Sequence, residues 1–166
     1  MANVPNQIKA KALNAPKTIV VTTDAFAEGK AIPREYTGFG DDVSPKLGWR
    51  GVPGGTGAIA IIVDDPDAPG GTYTHWLVWD LPASVASLER GANVEKLGAV
   101  VGKNDFGFPK YMGPKPPSGT HHYHFQVFAL SGKLGLAKDA TADRVWAALA
   151  GKTLAWGEIV GTFTKP

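Results

Sequence analysis

The sequence AIAIIV at residues 58–63, followed by DDPDAPGGT at residues 64–72 and YTHWLVW at residues 73–79, decides the fold of this chain. Six consecutive apolar residues, most of them β-branched, predict a buried strand. Pro66 and Pro69 fix their own φ angles and keep the preceding residues out of helix, so the acidic stretch is a stiff turn. The second run predicts the next strand of the same sheet.

Three carboxylates and one histidine lie around this turn. Asp64, Asp65 and Asp67 follow the first strand, and His75 is the one imidazole of the second strand. Aspartate beside proline and glycine is ordinary turn composition, so each carboxylate alone fits a turn as well as a site. Three such residues at the end of a buried strand favour a site, because binding groups concentrate on loops held by a rigid scaffold. Strand alternation places these side chains on one face: Tyr73, His75, Leu77 and Trp79.

Residues 120–130 form the second informative strand. Its odd positions are apolar after the first residues, so this face should meet the core and leave His121 and Tyr123 at its rim. The alternation therefore selects His121, rather than the two histidines that follow it, as a pocket residue. We expect the side chains of the even positions to lie nearer to solvent: His122, His124 and Gln126.

The remaining pattern predicts many short strands and little helix. Residues 141–151 have an N-cap threonine, an apolar face and a terminal glycine, which together predict the clearest helix. A glycine-rich stretch at residues 102–119 predicts a long loop, and its aromatic side chains argue against disorder. Because strands do not alternate with helices, we predict a mainly β protein, an antiparallel β-sandwich with Greek-key connections and a few short peripheral helices. The predicted domain spans residues 18–166, after a flexible N-terminal tail of residues 1–17.

Composition limits the class of protein. The 166 residues are 43% hydrophobic and 19% charged, which is typical of one globular domain. The 17 basic and 15 acidic residues are scattered, so the basic stripe of a nucleic-acid-binding protein is absent from the sequence. A chain without cysteine excludes disulfides, thiolate catalysis and sulfur-ligated zinc. The sequence shows neither a signal-peptide core nor a transmembrane run, so we expect a cytoplasmic protein.

The strand ends that carry Asp65, His75 and His121 would form a pocket if they meet, together with the hydroxyl of Tyr123. Imidazoles can be protonated near neutral pH, and an adjacent carboxylate favours their charged form. Such a pocket can hold a phosphate-like anion, with the backbone N–H groups of glycines such as Gly119 as further donors.

The same residues are compatible with other kinds of site. Two histidines and a carboxylate also suit a metal, but their positions show no fixed ligand spacing, so we predict neither a metal nor a cofactor. A hydrolase can be built from the same groups, but the chain has no Gly-x-Ser-x-Gly motif, and Ser44 and Ser118 stand beside prolines. A third alternative is an inhibitor or scaffold that acts through the loop at residues 102–119.

Several of these motifs, in the same order, resemble the phosphatidylethanolamine-binding protein family, in its bacterial and archaeal Raf kinase inhibitor-like branch. DDPDAP at residues 64–69 resembles the first signature of the family, and PPSGTHHY at residues 116–123 resembles the second. VSPKLGW at residues 43–49 and GKND at residues 102–105 also fit. The resemblance extends over residues 19–163.

The resemblance implies a β-sandwich with a small pocket in which mimics of a phosphorylated lipid headgroup bind. Two positions depart from the family pattern, since His122 stands where an arginine is usual and Gly38 where prokaryotic members often have cysteine. Eukaryotic relatives inhibit kinases and some prokaryotic relatives are dimers, so a protein partner and a homodimer are further expectations. The sequence thus predicts a non-enzymatic binding protein for a small anionic ligand. By motif position, the resemblance implies these pocket residues: Asp65, Asp67, Pro69, His75, Pro117, His121 and Tyr123.

Overall fold

The computed structural model of the protein describes residues 9–166. Within them, α1 (Ala142–Leu149) is accompanied by 3-10 helices at Lys9–Leu13, Arg34–Tyr36 and Val94–Leu97, and no helix of this region has the length and apolar character to cross a bilayer. The prediction of a mainly β protein with a few short helices is confirmed. The strands of this region are β1 (Val20–Thr22), β2 (Leu47–Arg50), β3 (Ala58–Asp65), β4 (Tyr73–Pro82), β5 (Ser87–Leu88), β6 (Val100–Val101), β7 (Thr120–Leu130) and β8 (Thr153–Thr164).

The strands form two antiparallel sheets. The larger sheet has the order β6-β4-β3-β7-β8 and the smaller one the order β1-β2-β5. In the larger sheet β3, β4 and β6 are successive neighbours, and the chain then returns so that β7 lies beside β3. This return is the Greek-key connection that the strand pattern predicts.

The two sheets pack face to face and enclose a front core. The smaller sheet contributes Val21, Trp49 and Leu88, and the larger sheet contributes residues such as Ile61 and Phe125. Burial of these large apolar side chains is the main favourable contribution to folding, about 1.5–3 kcal/mol for each fully buried side chain. The sandwich therefore accounts for the apolar odd positions of β7.

A second, back core lies on the opposite face of the larger sheet. Helix α1 covers this face with Trp146, whose ring meets Phe128 of β7 edge-on at 5.4 Å between centroids. The helix begins at the predicted N-cap, because the hydroxyl oxygen of Thr141 accepts a hydrogen bond from the backbone N–H of Arg144 at 3.2 Å. With one core on each side, all residues of β3 are buried, as its continuous apolar run predicts.

The back core overturns one expectation about β7. His122 is exposed as predicted, but His124 is only 9% exposed and Gln126 only 1%, so the prediction that they lie nearer to solvent is wrong. The alternation within a strand shows which side chains share a face. It does not show whether a distant segment such as α1 covers that face.

The segment predicted to be a flexible tail is partly described. Residues 1–8 lie outside the described residues. From residue 9 onward the segment packs on the domain, with Ala10 fully buried in the back core. The backbone N–H of Trp156 donates to the carbonyl of Pro16 at 3.0 Å, which ties this segment to β8.

A bulge interrupts β4 where it pairs with β3. Val63 lies opposite Trp76, but the next residue, Asp64, lies opposite Thr74. His75 is therefore the extra residue, and it faces the same side of the sheet as Trp76.

The bulge corrects the predicted face of β4. Tyr73 and His75 share a face, as predicted, but Leu77 and Trp79 lie in the back core, while Trp76 lies in the front core. Simple alternation fails here because one extra residue exchanges the two faces for the positions that follow, up to a second register shift between Val78 and Leu81.

Candidate functional site

A cavity of about 180 Å³ opens at the end of the front core, where β3, β4 and β7 meet. At ~30 Å³ for each water molecule, it has room for about six waters, and so for a small polar group. The structure brings these predicted residues together in the cavity wall: Asp65, Pro69, His75, Pro117, His121 and Tyr123.

Asp65 and His121 form a buried pair in this wall. The Nδ1 atom of His121 donates to Oδ2 of Asp65 at 2.6 Å, and the backbone N–H of Asp67 donates to Oδ1 of Asp65 at 2.8 Å. The proline-stiffened turn after β3 thus orients the carboxylate from one side, and the imidazole orients it from the other. Since Nδ1 is bound to the carboxylate, Nε2 is the atom of His121 that remains for a ligand.

His75 is oriented by the backbone instead of a carboxylate. Its Nδ1 donates to the carbonyl of Met112 at 2.7 Å, and the residue is only 3% exposed. Burial lowers the pKa of His75 and outweighs the opposite effects of that hydrogen bond and of the Asp65 carboxylate. This differs from the expectation that a nearby carboxylate would favour the charged imidazole. His75 is therefore neutral at pH 7, and its Nε2 is an acceptor.

Tyr123 brings an unpaired hydroxyl to the cavity. The residue is 1% exposed, and its hydroxyl lies near the Asp65 carboxylate and the Lys115 backbone but makes a hydrogen bond of good geometry with no described residue. Burial and the charge of Asp65 raise the pKa of Tyr123, so the hydroxyl stays protonated. An unsatisfied buried hydroxyl costs about 1–3 kcal/mol, which a ligand acceptor can offset.

Two predicted residues lie outside the wall. Asp67 accepts through Oδ2 from both the backbone N–H and the Nδ1 of His122, at 2.8 and 2.7 Å. Its carboxylate therefore fastens the turn to β7 and does not line the cavity. Gly119 is exposed, with a φ of 65°, and its carbonyl accepts from the backbone N–H of Lys165 at 2.9 Å. Its role is to shape the turn before β7.

The long loop supplies wall residues that sequence reasoning did not identify. Phe106 packs edge-on against His75 and Tyr73, at 5.4 and 4.9 Å between ring centroids. Asn104 fixes this part of the loop, because its side-chain oxygen accepts from the backbone N–H of Phe106 at 2.9 Å and its amide donates to the carbonyl of Lys110 at 2.8 Å. In the sequence, only the aromatic residues of this loop indicated that it could contribute to a site.

The same loop brings a basic side chain to the mouth of the cavity. Lys115 lines the wall and is exposed, between the buried residues Pro114 and Pro116. A flexible ammonium group at the mouth can approach an anion without being desolvated in the empty cavity. No sequence pattern identifies which lysine of the chain takes this position.

A second buried polar cluster lies on the opposite face of the larger sheet. His124 Nδ1 is 3.2 Å from Glu158 Oε1, and Lys17 Nζ is 3.4 Å from the same oxygen. Asp64 lies directly opposite His124 on the neighbouring strand, and burial raises the pKa of Asp64 to about 7.

Within residues 9–166, no group of three or more His, Cys, Asp or Glu side chains is arranged to hold a metal ion.

Comparison with known proteins places the chain among relatives of one kind. Residues 22–164 match the family described as phosphatidylethanolamine-binding protein. A UPF0098 protein of Aquifex aeolicus is 43% identical over 150 residues, which cover 87% of this chain and 88% of that protein.

Solved structures show the same likeness. A Chlamydia trachomatis protein described as a homologue of phosphatidylethanolamine-binding proteins is 33% identical, with a TM-score of 0.84 over 90% of this chain and 99% of that one. Escherichia coli YbcL, described as a member of the mammalian family, is 34% identical, with a TM-score of 0.83 and the same coverage.

Proposed function

Because this chain belongs to the phosphatidylethanolamine-binding protein family, we propose that it is a binding protein whose cavity takes a small ligand through a phosphate-type anionic group. The observation that carries the proposal is the unpaired hydroxyl of Tyr123 beside the buried Asp65–His121 pair. A hydroxyl donor and an oriented imidazole, both buried, are groups that hold a phosphoryl oxygen. Lys115 at the mouth adds a positive charge where such a ligand enters.

The size of the cavity supports a headgroup or a small phosphorylated molecule. A volume of about 180 Å³ accommodates one tetrahedral anion with a short substituent, whereas the rest of a larger ligand has to lie outside. Aromatic and proline side chains make most of the wall apolar, which strengthens the few polar contacts inside it.

A direct test is titration of the protein with inorganic phosphate and with phosphoethanolamine, followed by calorimetry. We expect His121→Ala to lose binding at least tenfold, because it removes an imidazole from the wall and leaves Oδ2 of Asp65 without its partner. His122→Ala is the matched control, because that imidazole is adjacent in sequence but exposed and outside the wall. Equal affinities of wild type and His121→Ala would refute the assigned site.

A hydrolase is the second candidate, and the Asp65–His121 pair is the observation that favours it. A carboxylate on Nδ1 leaves Nε2 oriented as a general base that can activate water. The wall hydroxyls, from Tyr73 and Tyr123, are poor nucleophiles, since burial raises the pKa of both. A panel of p-nitrophenyl esters and phosphoesters tests this candidate. Turnover that His121→Ala abolishes would favour it over simple binding.

Regulation of a protein partner forms the second half of the proposal. Phe108 is 52% exposed on the loop that also carries the wall residue Phe106, so ligand contacts inside the cavity and a partner outside would meet on one loop. A kinase-inhibitor-like role, a homodimer and a cytoplasmic location are still predictions. Pull-down with and without phosphate, and light scattering, test the partner and the dimer.

A further inference from the structure

The two histidines of the cavity direct Nδ1 at different partners. His121 directs Nδ1 at a carboxylate, Asp65, which leaves its Nε2 for a ligand. His75 directs Nδ1 at a carbonyl, that of Met112, and accepts through Nε2.

The surroundings of His75 do not reverse this character. The charged and titratable groups facing it are Asp65 from β3, His121 and Tyr123 from β7, Tyr73 from its own strand, and Asp105 and Lys115 from the long loop. Although the carboxylates raise the pKa of His75, burial lowers it by more. A hydrogen bond to a backbone carbonyl also fixes the tautomer, because a carbonyl can only accept.

We infer that the cavity selects anions that carry a hydrogen they can donate, such as phosphate or the monoanion of a phosphomonoester, over donor-free anions of similar shape such as sulfate, and that His75 determines this selection. The inference rests on the proposed function, because it concerns the anion that this cavity takes. It adds that the anion fits in the form that carries a hydrogen it can donate.

The physical reason is the pairing of donors with acceptors in a buried site. A phosphate with one P–OH can donate to Nε2 of His75 while another of its oxygens accepts from the Tyr123 hydroxyl. Sulfate has only acceptors at neutral pH, so it would set an oxygen lone pair against that of Nε2. Buried sites that require a hydrogen bond reject analogues that cannot make it, and we expect a tenfold to hundredfold preference for phosphate.

The experiment compares sodium phosphate with sodium sulfate at pH 7 and constant ionic strength, by calorimetry. His75→Asn is the informative variant, because the asparagine amide can still donate to the Met112 carbonyl in place of Nδ1 but offers no atom in place of Nε2. We expect the ratio of phosphate to sulfate affinity to fall to within about threefold in His75→Asn. It should stay at the wild-type value in His122→Ala, whose side chain lies outside the wall. Near-UV circular dichroism checks that the variants are folded.

A second measurement uses wild type alone, so it does not depend on the folding of a variant. Methyl phosphate loses its donor above its second pKa, about 6 for a phosphomonoester, whereas sulfate stays donor-free throughout. The ratio of methyl phosphate to sulfate affinity should therefore fall between pH 5 and pH 8. Use of a ratio removes those effects of titrating protein groups that act equally on both anions.

The outcomes separate this inference from the proposed function. Equal affinity for phosphate and sulfate in wild type would overturn the inference and leave an anion-binding cavity in place. A preference for phosphate that His75→Asn retains would overturn the role of His75. If neither phosphate nor sulfate binds to the wild-type protein, both proposals are overturned.

Discussion

The Nδ1 atom of His121 lies 2.6 Å from Oδ2 of Asp65, and the two side chains are only 9% and 4% exposed. The contact joins the end of β3 to the start of β7, residues that are 56 positions apart in the chain. A charge-assisted hydrogen bond in a low-dielectric interior is stronger than one at the surface. The same contact therefore stabilises the sheet and orients the imidazole in the cavity.

Loss of this contact should destabilise the protein. We expect Asp65→Asn to lower the free energy of unfolding by about 1–3 kcal/mol, because it leaves a weaker, neutral partner for the buried imidazole. In a double-mutant cycle, Asp65→Asn and His121→Gln should show a coupling energy of at least about 1 kcal/mol. Urea denaturation at pH 7 measures both values. In a control cycle, Asp65→Asn combined with His122→Gln should show a coupling energy near zero. If the effects of Asp65→Asn and His121→Gln simply add, the expectation is contradicted.

Tyr123→Phe should separate stability from binding. Because its hydroxyl is buried without a good hydrogen bond to the described residues, removal should leave the free energy of unfolding unchanged or raise it by up to about 1 kcal/mol. Phosphate affinity should nevertheless fall about tenfold, which calorimetry measures.

Tyr111→Phe is the matched control for that variant. The Tyr111 hydroxyl is also buried, but it donates to the carbonyl of Tyr36 at 2.7 Å. Its removal should destabilise the protein by about 1 kcal/mol and leave phosphate affinity unchanged. If instead Tyr123→Phe destabilises the protein and leaves phosphate affinity unchanged, the Tyr123 hydroxyl has a structural partner.

Asp64 should make stability depend on pH. Burial raises its pKa from 3.8 to about 7, with the charge of His124 acting in the opposite direction. A carboxyl group whose pKa is higher in the folded state stabilises that state while protonated. This contribution is complete below the unfolded value and is lost as the pH rises towards 7.

Asp64→Asn isolates that effect, because the amide cannot ionise. Between pH 5 and pH 7.5, the free energy of unfolding of wild type should fall by about 2.5 kcal/mol relative to Asp64→Asn, at up to ~1.4 kcal/mol for each pH unit. Urea denaturation at a series of pH values measures the difference. Asp143→Asn is the control, because that side chain is 96% exposed and should give a difference that does not vary with pH. A constant difference for Asp64→Asn would show that its carboxyl is ionised in the folded protein.

Gly157 should not tolerate a side chain. A Cβ at this position of β8 would overlap the backbone carbonyl of Ile19, so Gly157→Ala requires a backbone shift and should cost about 2–3 kcal/mol. Gly132→Ala is the control, since nothing lies within 4 Å of its added Cβ, and it should change stability by less than about 1 kcal/mol. Thermal melts compare the variants, and a similar loss in both would contradict the packing argument.

The strands with continuous apolar or alternating patterns could be predicted from the sequence. The strand predicted at residues 120–130 has the bounds of β7, and the apolar run at residues 58–63 lies within β3. The short strands β5 and β6 could not be predicted, because two residues carry no periodicity. Each forms only through pairing with a strand that is distant in sequence.

Some residues of the site could be predicted from the sequence for a similar reason. Asp65 and His121 could be proposed because their strands have clear patterns and both stand at strand ends. The orientation of His75 could not be predicted, since it depends on the bulge in β4 and on the carbonyl of Met112. Every residue has a backbone carbonyl, so the sequence does not show which one accepts this hydrogen bond. Lys115 was missed because its position depends on the path of a long loop.

The extra residue in β4 also has a consequence for the evolution of this chain. Loss of one residue between His75 and Trp79 would move the apolar side chains of this part of β4 to the opposite core, so deletions there should be purged by selection. Length changes at residues 70–72 leave the parity of both strands intact and lie beyond the contacts of Asp67. Lineages can therefore remodel this side of the entrance by insertion and deletion, and so adapt to new ligands, without rebuilding the interior.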